Sequence, residues 1–403
     1  MFYFLKNQCS KYKRKKLQKM TEIKEPLRVL HIGADNIGYG GRSVIAFNLT
    51  QNMNHKIVVN DFLTFKRIED SFADKIAAKG GNVITILLED KRNKLRFEYE
   101  RTGKMIKKIK YGKYDIVHIH ADHAYEAMKS VWIAGMAGVK KFVIHGHSAG
   151  SEYRYTDLKK LLIVICQYVV AKSHALQLAC SEEAAVYLFG RRNKNSTYII
   201  RNGIKVSLYQ YSVWEREEIR KCMGYETKQL IIGCVGRFSY PKNHRFLIEI
   251  FENILKRLSS ARLILVGDGE LKAEIEKIAR EKEIYNSIDF LGNRNDVPKL
   301  LQAMDVFVLP SIYEGFGIVN LEAQCSGLPC VVSDKIPKSV KVTELVTFLS
   351  LEESAEKWAD TVINTASGSI RKSRADEIAA HGFDIANSGA MLEKYYDRLG
   401  RNK

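Results

Sequence analysis

The stretch from Val306 to Asp334 constrains the fold of this 403-residue chain more than any other. Val306 to Leu309 is a short apolar run, and Cys330 to Val332 is a second one. Runs this short and uniformly apolar are typical of strands that are buried on both faces of a parallel sheet. Between them, Gly315 and Gly317 open a segment with helical periodicity. The stretch therefore predicts a strand, a glycine turn, a helix and a second strand, which is the repeating unit of α/β folds.

Two glutamates of this stretch lie where a ligand would bind. Glu314 is at the glycine turn, and Glu322 follows eight residues later, about two helical turns on and within ~80° of the same face. In an open parallel sheet, ligands bind beyond the carboxyl ends of the strands, where a helix N-terminus offers unpaired N–H groups to an anion. Carboxylates accept hydrogen bonds from hydroxyl groups. The two glutamates therefore favour a ligand in which sugar hydroxyls flank a diphosphate, such as a nucleotide sugar.

The same alternation of strand and helix runs through the whole chain. Seven short apolar runs lie between Leu27 and Ile200, and six more lie between Leu230 and Leu349. This pattern predicts an α/β architecture with parallel sheets. A chain of this length with 46% apolar residues suits two domains of ordinary size, and the charged segment from Ser212 to Tyr225 is the predicted connection between them.

Two cations flank a loop at the start of the second series of strands. Arg237 follows a predicted strand, and Lys242 lies just before a helix that has Pro241 near its first turn. Such a helix start offers free N–H groups, and guanidinium and ammonium groups bind phosphate oxygens. The loop therefore favours a diphosphate, although ordinary surface cations would give the same pattern.

A glycine-rich loop, Gly38-Tyr39-Gly40-Gly41, follows the first predicted strand and leads into a helix. Its backbone could approach a phosphate or an acceptor, or the loop could be a plain tight turn. The order of its glycines does not fit Gly-x-Gly-x-x-Gly, which disfavours a dehydrogenase.

Four histidines lie on or after predicted strands. His118 and His120 alternate along one strand and are expected to share a face, but no third ligand lies near them in the sequence, so we predict no metal site. His145 and His147 follow a buried strand at the expected cleft. They are either structural turn residues or contacts to a ligand.

Positive charge is concentrated in the first half of the chain. Residues 1 to 205 hold 37 Lys and Arg against 18 Asp and Glu, whereas residues 206 to 403 hold 27 against 28. The first 19 residues contribute seven basic and no acidic groups. Their apolar part precedes the charge and is too short for a signal peptide, so the segment is either a basic arm that touches a membrane or a translated leader upstream of a start at Met20.

A second basic cluster lies between Lys91 and Lys113, where ten basic and two acidic residues fall on a predicted helix that also carries apolar residues such as Leu95 and Ile109. The helix is either a solvated basic surface or a contact with an anionic lipid surface. Nucleic-acid binding is disfavoured, because no recognisable module interleaves basic and aromatic residues.

No apolar stretch reaches the ~18 residues that a membrane-spanning helix needs. The seven cysteines are scattered without the spacing of metal ligands. We therefore expect a protein of the reducing cytoplasm that is not integral to a membrane, and that lies peripherally on its inner face if the basic helix contacts lipid.

Together these motifs resemble those of the retaining glycosyltransferase family 4, which has the GT-B fold. The resemblance covers nearly the whole chain from about Leu27. It implies two Rossmann-like parallel-sheet domains with a cleft between them. The implied division is a basic extension at 1–26, an acceptor-binding domain at 27–210, a nucleotide-sugar-binding domain at 211–384, and a helix at 385–403 that crosses back to the first domain.

The resemblance also implies roles for individual residues. Arg237 and Lys242 would stabilise the leaving diphosphate, Glu314 would hold the donor sugar, and Glu322 would hold the ribose. The implied catalytic residues are Arg237, Lys242, Glu314 and His145, and the implied donor-binding residues are Glu322, Gly315, Phe316, Gly317, Arg294, Val297, Gly40 and Gly41. No metal and no cofactor is expected.

The implied reaction moves a sugar from a nucleotide sugar to a glycan or lipid-linked saccharide in surface polysaccharide synthesis. The nucleotide of the donor is expected to be UDP, by its frequency in the family, and GDP is the next choice. An epimerase or a phosphorylase on the same fold is disfavoured by the two glutamates with their upstream Arg and Lys. The remaining alternative is a non-catalytic basic protein that binds a membrane or nucleic acid, suggested by an isoelectric point near 9.4.

Overall fold

The computed structural model of the chain describes residues 25–35, 37, 41–88, 94–148, 150, 156–314, 316–368 and 371–401. These residues form two α/β lobes, each built on one parallel sheet. The loop from Gly38 to Gly40, Gly315 and most of the basic N-terminal segment lie outside the described residues.

The first lobe has a seven-stranded sheet with the order β3-β2-β1-β4-β5-β6-β7, in which all neighbours pair in parallel. Its strands are β1 (Leu27–Ile32), β2 (Val58–Thr64), β3 (Val83–Thr85), β4 (Ile116–Ala121), β5 (Phe142–Gly146), β6 (Leu176–Ala179) and β7 (Tyr198–Ile199). The second lobe has a six-stranded parallel sheet with the order β10-β9-β8-β11-β12-β13. Its strands are β8 (Ile231–Val235), β9 (Arg262–Val266), β10 (Ile288–Gly292), β11 (Val306–Leu309), β12 (Cys330–Ser333) and β13 (Val346–Leu349).

The prediction of two parallel-sheet α/β domains is confirmed. Each sheet reverses its strand order once, between β1 and β4 in the first lobe and between β8 and β11 in the second. Helices that follow such a pair of strands leave on opposite faces of the sheet, so a crevice opens beyond the carboxyl ends of the strands.

Fourteen helices cover the two sheets within the described residues. In the first lobe they are α1 (Gly41–Gln51), α2 (Asp70–Ala77), α3 (Lys94–Gly112), α4 (Ala124–Met136), α5 (Asp157–Lys172) and α6 (Glu182–Phe189). The others are α7 (Val213–Cys222), α8 (His244–Leu255), α9 (Lys272–Glu281), α10 (Val297–Ala303), α11 (Ile318–Cys325), α12 (Ala355–Ser367), α13 (Ala375–Ala380) and α14 (Ile385–Arg401).

Every residue of β11 and β12 is buried, as their uniformly apolar sequences predict. The core of the second lobe also takes in Phe251 of α8 and Trp358 of α12, which are both fully buried. The indole N–H of Trp358 donates to the carbonyl of Ser350 over 2.9 Å, so its one polar group has a partner. A rigid, fully packed sheet therefore supports the turn after β11.

The last helix, α14, packs on the first lobe although it follows the second. Leu392 and Tyr396 are fully buried against the face of the first sheet that α1 also covers. The chain thus crosses between the lobes twice, and the two crossings are bonded to each other. Ile204 N donates to the Phe383 carbonyl over 2.8 Å, and Ile385 N donates to the Ile204 carbonyl over 2.9 Å.

None of the helices in the described part of the chain combines the length and the apolar character that a bilayer span requires.

The burial of α14 predicts how much it stabilises the first lobe. Leu392→Ala leaves a cavity beneath the helix and is expected to cost about 2–5 kcal/mol of the free energy of unfolding. Met391→Ala, on the partly exposed side of the same helix, is the matched control and should cost about 0.5 kcal/mol or less. Urea denaturation followed by circular dichroism measures both, and equal midpoints for the two variants would contradict the packing of α14.

Candidate functional site

A cavity with a volume of about 540 Å³ lies at the junction of the two lobes. The first lobe contributes Arg42, Ile45, Asp122, His147, Ser148 and Asn202 to its wall. The second lobe contributes six of the residues that the sequence predicts for the site, namely Arg237, Lys242, Glu314, Phe316, Gly317 and Glu322. Residues that are far apart in the chain are therefore brought together at one opening.

Lys242 and Glu314 form an ion pair at the centre of the second-lobe wall. Lys242 ends a short 3₁₀ turn after β8, and Glu314 lies in the turn after β11. Ser311 Oγ donates to the same carboxylate oxygen over 2.9 Å. Their side chains are only 19% and 10% exposed, so the pair is shielded from solvent and stays ordered. An anion that enters the cavity meets a cation that is already held in place.

Arg237 lies at the rim of the cavity. Its side chain is 72% exposed and bonds the Glu270 carboxylate over 3.0 Å. Glu270 lies just before the next helix, α9, which begins at Lys272 with Leu271 at the N-cap position. An exposed ion pair contributes little to stability, so Arg237 can exchange Glu270 for a ligand phosphate at small cost.

Glu322 enters the cavity from the side, on α11. Burial raises the pKa of its carboxyl to about 7, and the Tyr209 hydroxyl donates to its Oε1 over 2.8 Å. Burial and the neighbouring Glu322 also hold the pKa of Tyr209 well above its usual value. A buried carboxyl with one free oxygen is suited to bind hydroxyl groups of a ligand. No sequence signal indicated Tyr209, which reaches the site from the segment before α7.

The turn before α11 requires glycine. Gly317 has a φ of 71°, and a Cβ at this position would meet Asn320 Nδ2 at 2.8 Å. Phe316 stacks on Phe383 with ring centroids 5.6 Å apart, which fixes the other side of the turn. The backbone of the turn can therefore approach a ligand closely. Gly315, predicted at the same turn, lies outside the described residues.

Three other predicted positions lie at or near the starts of helices. Arg294 is exposed and donates to the Asp296 carboxylate at 2.6 and 2.8 Å, and Val297 begins α10. Asp296 occupies the N-cap position of α10, where its main-chain carbonyl accepts from Leu300 N over 3.1 Å, while its carboxylate is taken by Arg294. Gly41 begins α1, while Gly40 lies outside the described residues.

The first-lobe wall carries polar residues that the sequence did not single out as ligands. Arg42 bonds Asp122 and Glu126, each at 3.0 Å. Burial raises the pKa of the Asp122 carboxyl. The side-chain oxygen of Asn202 is buried and has no partner within the described residues. These groups face the second-lobe residues across the cavity and are placed to bind a second substrate.

His145 is fully buried under the cavity wall, whereas His147 lines it. His145 and His147 belong to a cluster with His31, His118 and His120 on one face of β1, β4 and β5. The prediction that His118 and His120 share a face is confirmed. The sequence offered no third histidine near them, but the strand order puts His31 beside His118.

The comparisons with known proteins agree with this architecture. A family model described as "Glycosyl transferases group 1" matches residues 215–381. EpsF of Bacillus subtilis, a protein named as a glycosyltransferase, is 32% identical over 374 residues, which cover 91% of this chain and 96% of EpsF. This chain is a group 1 glycosyltransferase.

A second relative of this glycosyltransferase covers less of its length. The UDP-Gal:alpha-D-GlcNAc-diphosphoundecaprenol alpha-1,3-galactosyltransferase of Escherichia coli is 30% identical over 238 residues, which are 57% of this chain and 60% of the relative. Among solved structures, Anabaena HepE in complex with UDP has a TM-score of 0.70 at 18% identity and covers 93% of this chain and 100% of its own. A glycosyltransferase from Rickettsia africae has a TM-score of 0.71 at 15% identity. These structures support the two-sheet GT-B fold.

The raised pKa of Glu322 gives this glycosyltransferase a specific dependence of stability on pH. The folded, ligand-free protein keeps the Glu322 proton up to about pH 7, whereas an ordinary glutamate loses it near 4.5. Stability therefore falls as pH rises from 4.5 to 7, by on the order of 3 kcal/mol. Glu322→Gln cannot titrate, so its stability relative to wild type should rise between pH 5 and pH 8.

Chemical denaturation at both pH values measures this difference. Glu270→Gln, which neutralises an exposed carboxyl at the rim, is the control and should show no such gain. A Glu322→Gln variant whose stability relative to wild type is the same at both pH values would show that Glu322 titrates normally.

Proposed function

We propose that this group 1 glycosyltransferase is a retaining enzyme of the family 4 type that transfers a sugar from a UDP-sugar to a glycan or lipid-linked saccharide. One observation carries the proposal: the shielded Lys242–Glu314 pair, Arg237 and Glu322 share one wall of the cavity at the ends of β8 and β11. A diphosphate needs the cations, and the sugar and ribose hydroxyls need the carboxyl groups.

The identity of the nucleotide is supported by relatives and structural neighbours. The Escherichia coli relative is named for the use of UDP-Gal, and Anabaena HepE was solved with UDP and with UDP-glucose. We therefore place UDP first and GDP second. The donor lies against the second lobe, with its diphosphate at Lys242 and Arg237 and its ribose at Glu322.

The leaving diphosphate gains negative charge as the glycosidic bond to the sugar breaks. Lys242 and Arg237 stabilise this charge, and fixed groups of this kind contribute several kcal/mol in a site that excludes water. Glu314 exchanges part of its contact with Lys242 for a donor-sugar hydroxyl. No divalent ion is needed at the diphosphate in this scheme.

The acceptor binds to the first lobe, near Arg42, His147 and Asn202. Asp122 is the carboxylate that this lobe brings to the cavity, and it is held by Arg42 at 3.0 Å. A carboxylate engaged in this way is a poor nucleophile. We therefore propose that the acceptor hydroxyl attacks from the face that the diphosphate leaves, without a covalent enzyme intermediate.

Removal of the donor-binding charges tests the proposal. Arg237→Ala, Lys242→Ala and Glu322→Ala should each lower turnover of the donor by at least ~100-fold, because each removes a group that stabilises the leaving diphosphate or holds the donor. Arg245→Ala is the matched control, since Arg245 is an exposed arginine on α8 that pairs with Glu274. It should keep near-normal turnover.

Donor binding can be measured before an acceptor is known. A UDP-sugar at 100 times its dissociation constant adds about 2.7 kcal/mol to stability, which a thermal-shift screen of UDP-, GDP- and ADP-sugars detects. The shift should be lost in Lys242→Ala and retained in Arg245→Ala. Normal turnover in Arg237→Ala, Lys242→Ala and Glu322→Ala alike would contradict the proposal.

A lipid-linked acceptor would require this enzyme to work at a membrane surface. Helices α3, α4 and α5 lie side by side on the outer face of the first lobe, away from α14. Lys107, Lys108 and Lys110 of α3 are exposed, whereas its Met105 and Ile109 are buried in the core. Met105 and Ile109 therefore attach α3 to the lobe, whereas Leu95 of the same helix is 85% exposed and stays available for lipid contact.

Further exposed apolar residues lie on the two neighbouring helices. Trp132 and Met136 of α4 are more than half exposed, and α5 exposes six apolar residues and a tyrosine, namely Leu158, Leu161, Leu162, Val164, Ile165, Val169 and Tyr168. Soluble surfaces seldom expose so many apolar side chains on one helix. We propose that this apolar surface inserts into the lipid interface while the lysines of α3 contact anionic headgroups.

Charge reversal of α3 tests the membrane contact. A variant with Lys104, Lys107, Lys108 and Lys110 changed to Glu should no longer co-sediment with anionic vesicles, while its donor-induced thermal shift stays. Each basic group near such a surface contributes about 1 kcal/mol, so binding by the wild type should also weaken at high salt.

A control variant reverses four exposed lysines of the second lobe, Lys221, Lys228, Lys277 and Lys299, and should still bind. Equal binding of the wild type to neutral and anionic vesicles, or binding to neither, would show that the charge serves another purpose. Concentration-dependent self-association through α5 in the absence of lipid would indicate that the apolar surface binds a second copy of the chain rather than a membrane.

A further inference from the structure

The donor and acceptor contacts proposed above involve only one of the five clustered histidines, His147. His31, His118, His120 and His145 are fully buried behind the cavity wall, and only His147 reaches the cavity. Both ring nitrogens of His145 and the Nε2 of His118 have no hydrogen-bond partner within the described residues. Unpaired polar atoms in a protein interior cost free energy, so such a group calls for an explanation, for which a bound ion is one candidate.

Three of these side chains converge on one point. His31, His118 and His120 each bring one ring nitrogen within 4.8 Å of the other two. His31 Nδ1 and His120 Nε2 are 2.9 Å apart, and His118 offers the unpartnered Nε2. The convergence follows from the sheet, because His31 pairs with His118 across β1 and β4, and His120 lies two residues further on the same face.

The other ring nitrogen of each residue has a hydrogen-bond partner that can accept. His31 Nε2 lies 2.9 Å from Asn60 Oδ1, His118 Nδ1 bonds the Tyr396 hydroxyl, and His120 Nδ1 lies 2.9 Å from His147 Nε2. If each of these nitrogens donates its N–H, the lone pair of each ring lies on the other nitrogen, and all three lone pairs point to the same place. Histidines that bind a metal ion almost always donate their other N–H in this way.

We propose that His31, His118 and His120 bind one Zn²⁺ ion in the interior of the first lobe. Three imidazole nitrogens suit Zn²⁺ better than Mg²⁺ or Ca²⁺, which prefer oxygen ligands. Metal binding requires neutral imidazoles, and the full burial of all three side chains disfavours the charged form.

The ion would be structural. It would link β1 to β4 directly and, through His118 and Tyr396, would fix the position of α14 on the sheet. This role is separate from the diphosphate, which Lys242 and Arg237 bind on the other lobe, so the proposal does not rest on the proposed function.

Two other arrangements of the cluster make different predictions. Without an ion, a proton lies between His31 Nδ1 and His120 Nε2, and a hydrogen-bonded chain runs from Asn60 to His147. A second triplet, His120, His145 and His147, also has converging nitrogens. This triplet lacks the hydrogen bonds that would hold the ring nitrogens facing away from the ion, because neither nitrogen of His145 has a partner within the described residues.

The test measures metal in the full-length enzyme, purified without a histidine tag. Mass spectrometry of the wild type should find about one zinc per chain, and Co²⁺ added after removal of zinc should give the visible absorption of a four-coordinate site. His118→Asn should contain less than a tenth as much zinc. His145→Asn is the matched control from the same cluster and should keep it.

A second, more conservative variant tests the proposal even if His118→Asn does not fold. Tyr396→Phe keeps all three ligands but removes the partner of His118, and should weaken zinc binding by about 10–100-fold. Zinc should also raise the melting temperature of the stripped wild type but not that of His118→Asn. Wild type that contains no zinc and takes up neither zinc nor Co²⁺ overturns the proposal, and loss of metal from His145→Asn but not from His118→Asn assigns the ion to the other triplet.

Discussion

Parallel strand pairing aligns the carboxyl ends of all strands of a sheet at one edge, and the candidate site depends on this constraint twice. In the second lobe it brings the turns after β8 and β11 together, so that Lys242 and Glu314, 72 residues apart, form a shielded pair. In the first lobe it brings the ends of β1, β4 and β5 together, which creates both the histidine cluster and the opposite wall of the cavity. The two edges face each other, so the site is a property of the fold rather than of any single motif.

Charge in the ligand-free cavity is balanced residue by residue. The three cations that line it each have a carboxylate partner: Arg42 has Asp122, Arg237 has Glu270, and Lys242 has Glu314. A ligand anion must therefore compete with a carboxylate for each cation. The competition is weakest at the exposed Arg237 and strongest at the buried Lys242, so an incoming diphosphate would meet Arg237 first and Lys242 last.

The sequence predicted the α/β fold and the second-lobe wall well, because both are encoded locally. Uniformly apolar runs mark β11 and β12, and the positions of Lys242, Glu314 and Glu322 follow from the glycine turns beside them. What the sequence did not predict depends on contacts across the fold. His31 lies far from His118 in the chain but next to it in the sheet, and Tyr209 reaches Glu322 from an irregular segment. Arg294 likewise takes the carboxylate of Asp296, a contact that the helix start alone does not reveal.

The paired crossings between the lobes determine how the cavity can open. Two separate connections would let the lobes twist and slide as well as rotate, but here Ile204 is bonded on one side to Phe383 and on the other to Ile385. The two connections therefore form one short bonded ribbon rather than two independent strands of chain. Across the cavity from the ribbon, the Tyr313 hydroxyl donates to the carbonyl of Gly150 and links the two lobes. A rotation of one lobe about this ribbon would break that hydrogen bond and widen the cavity on the side away from the ribbon.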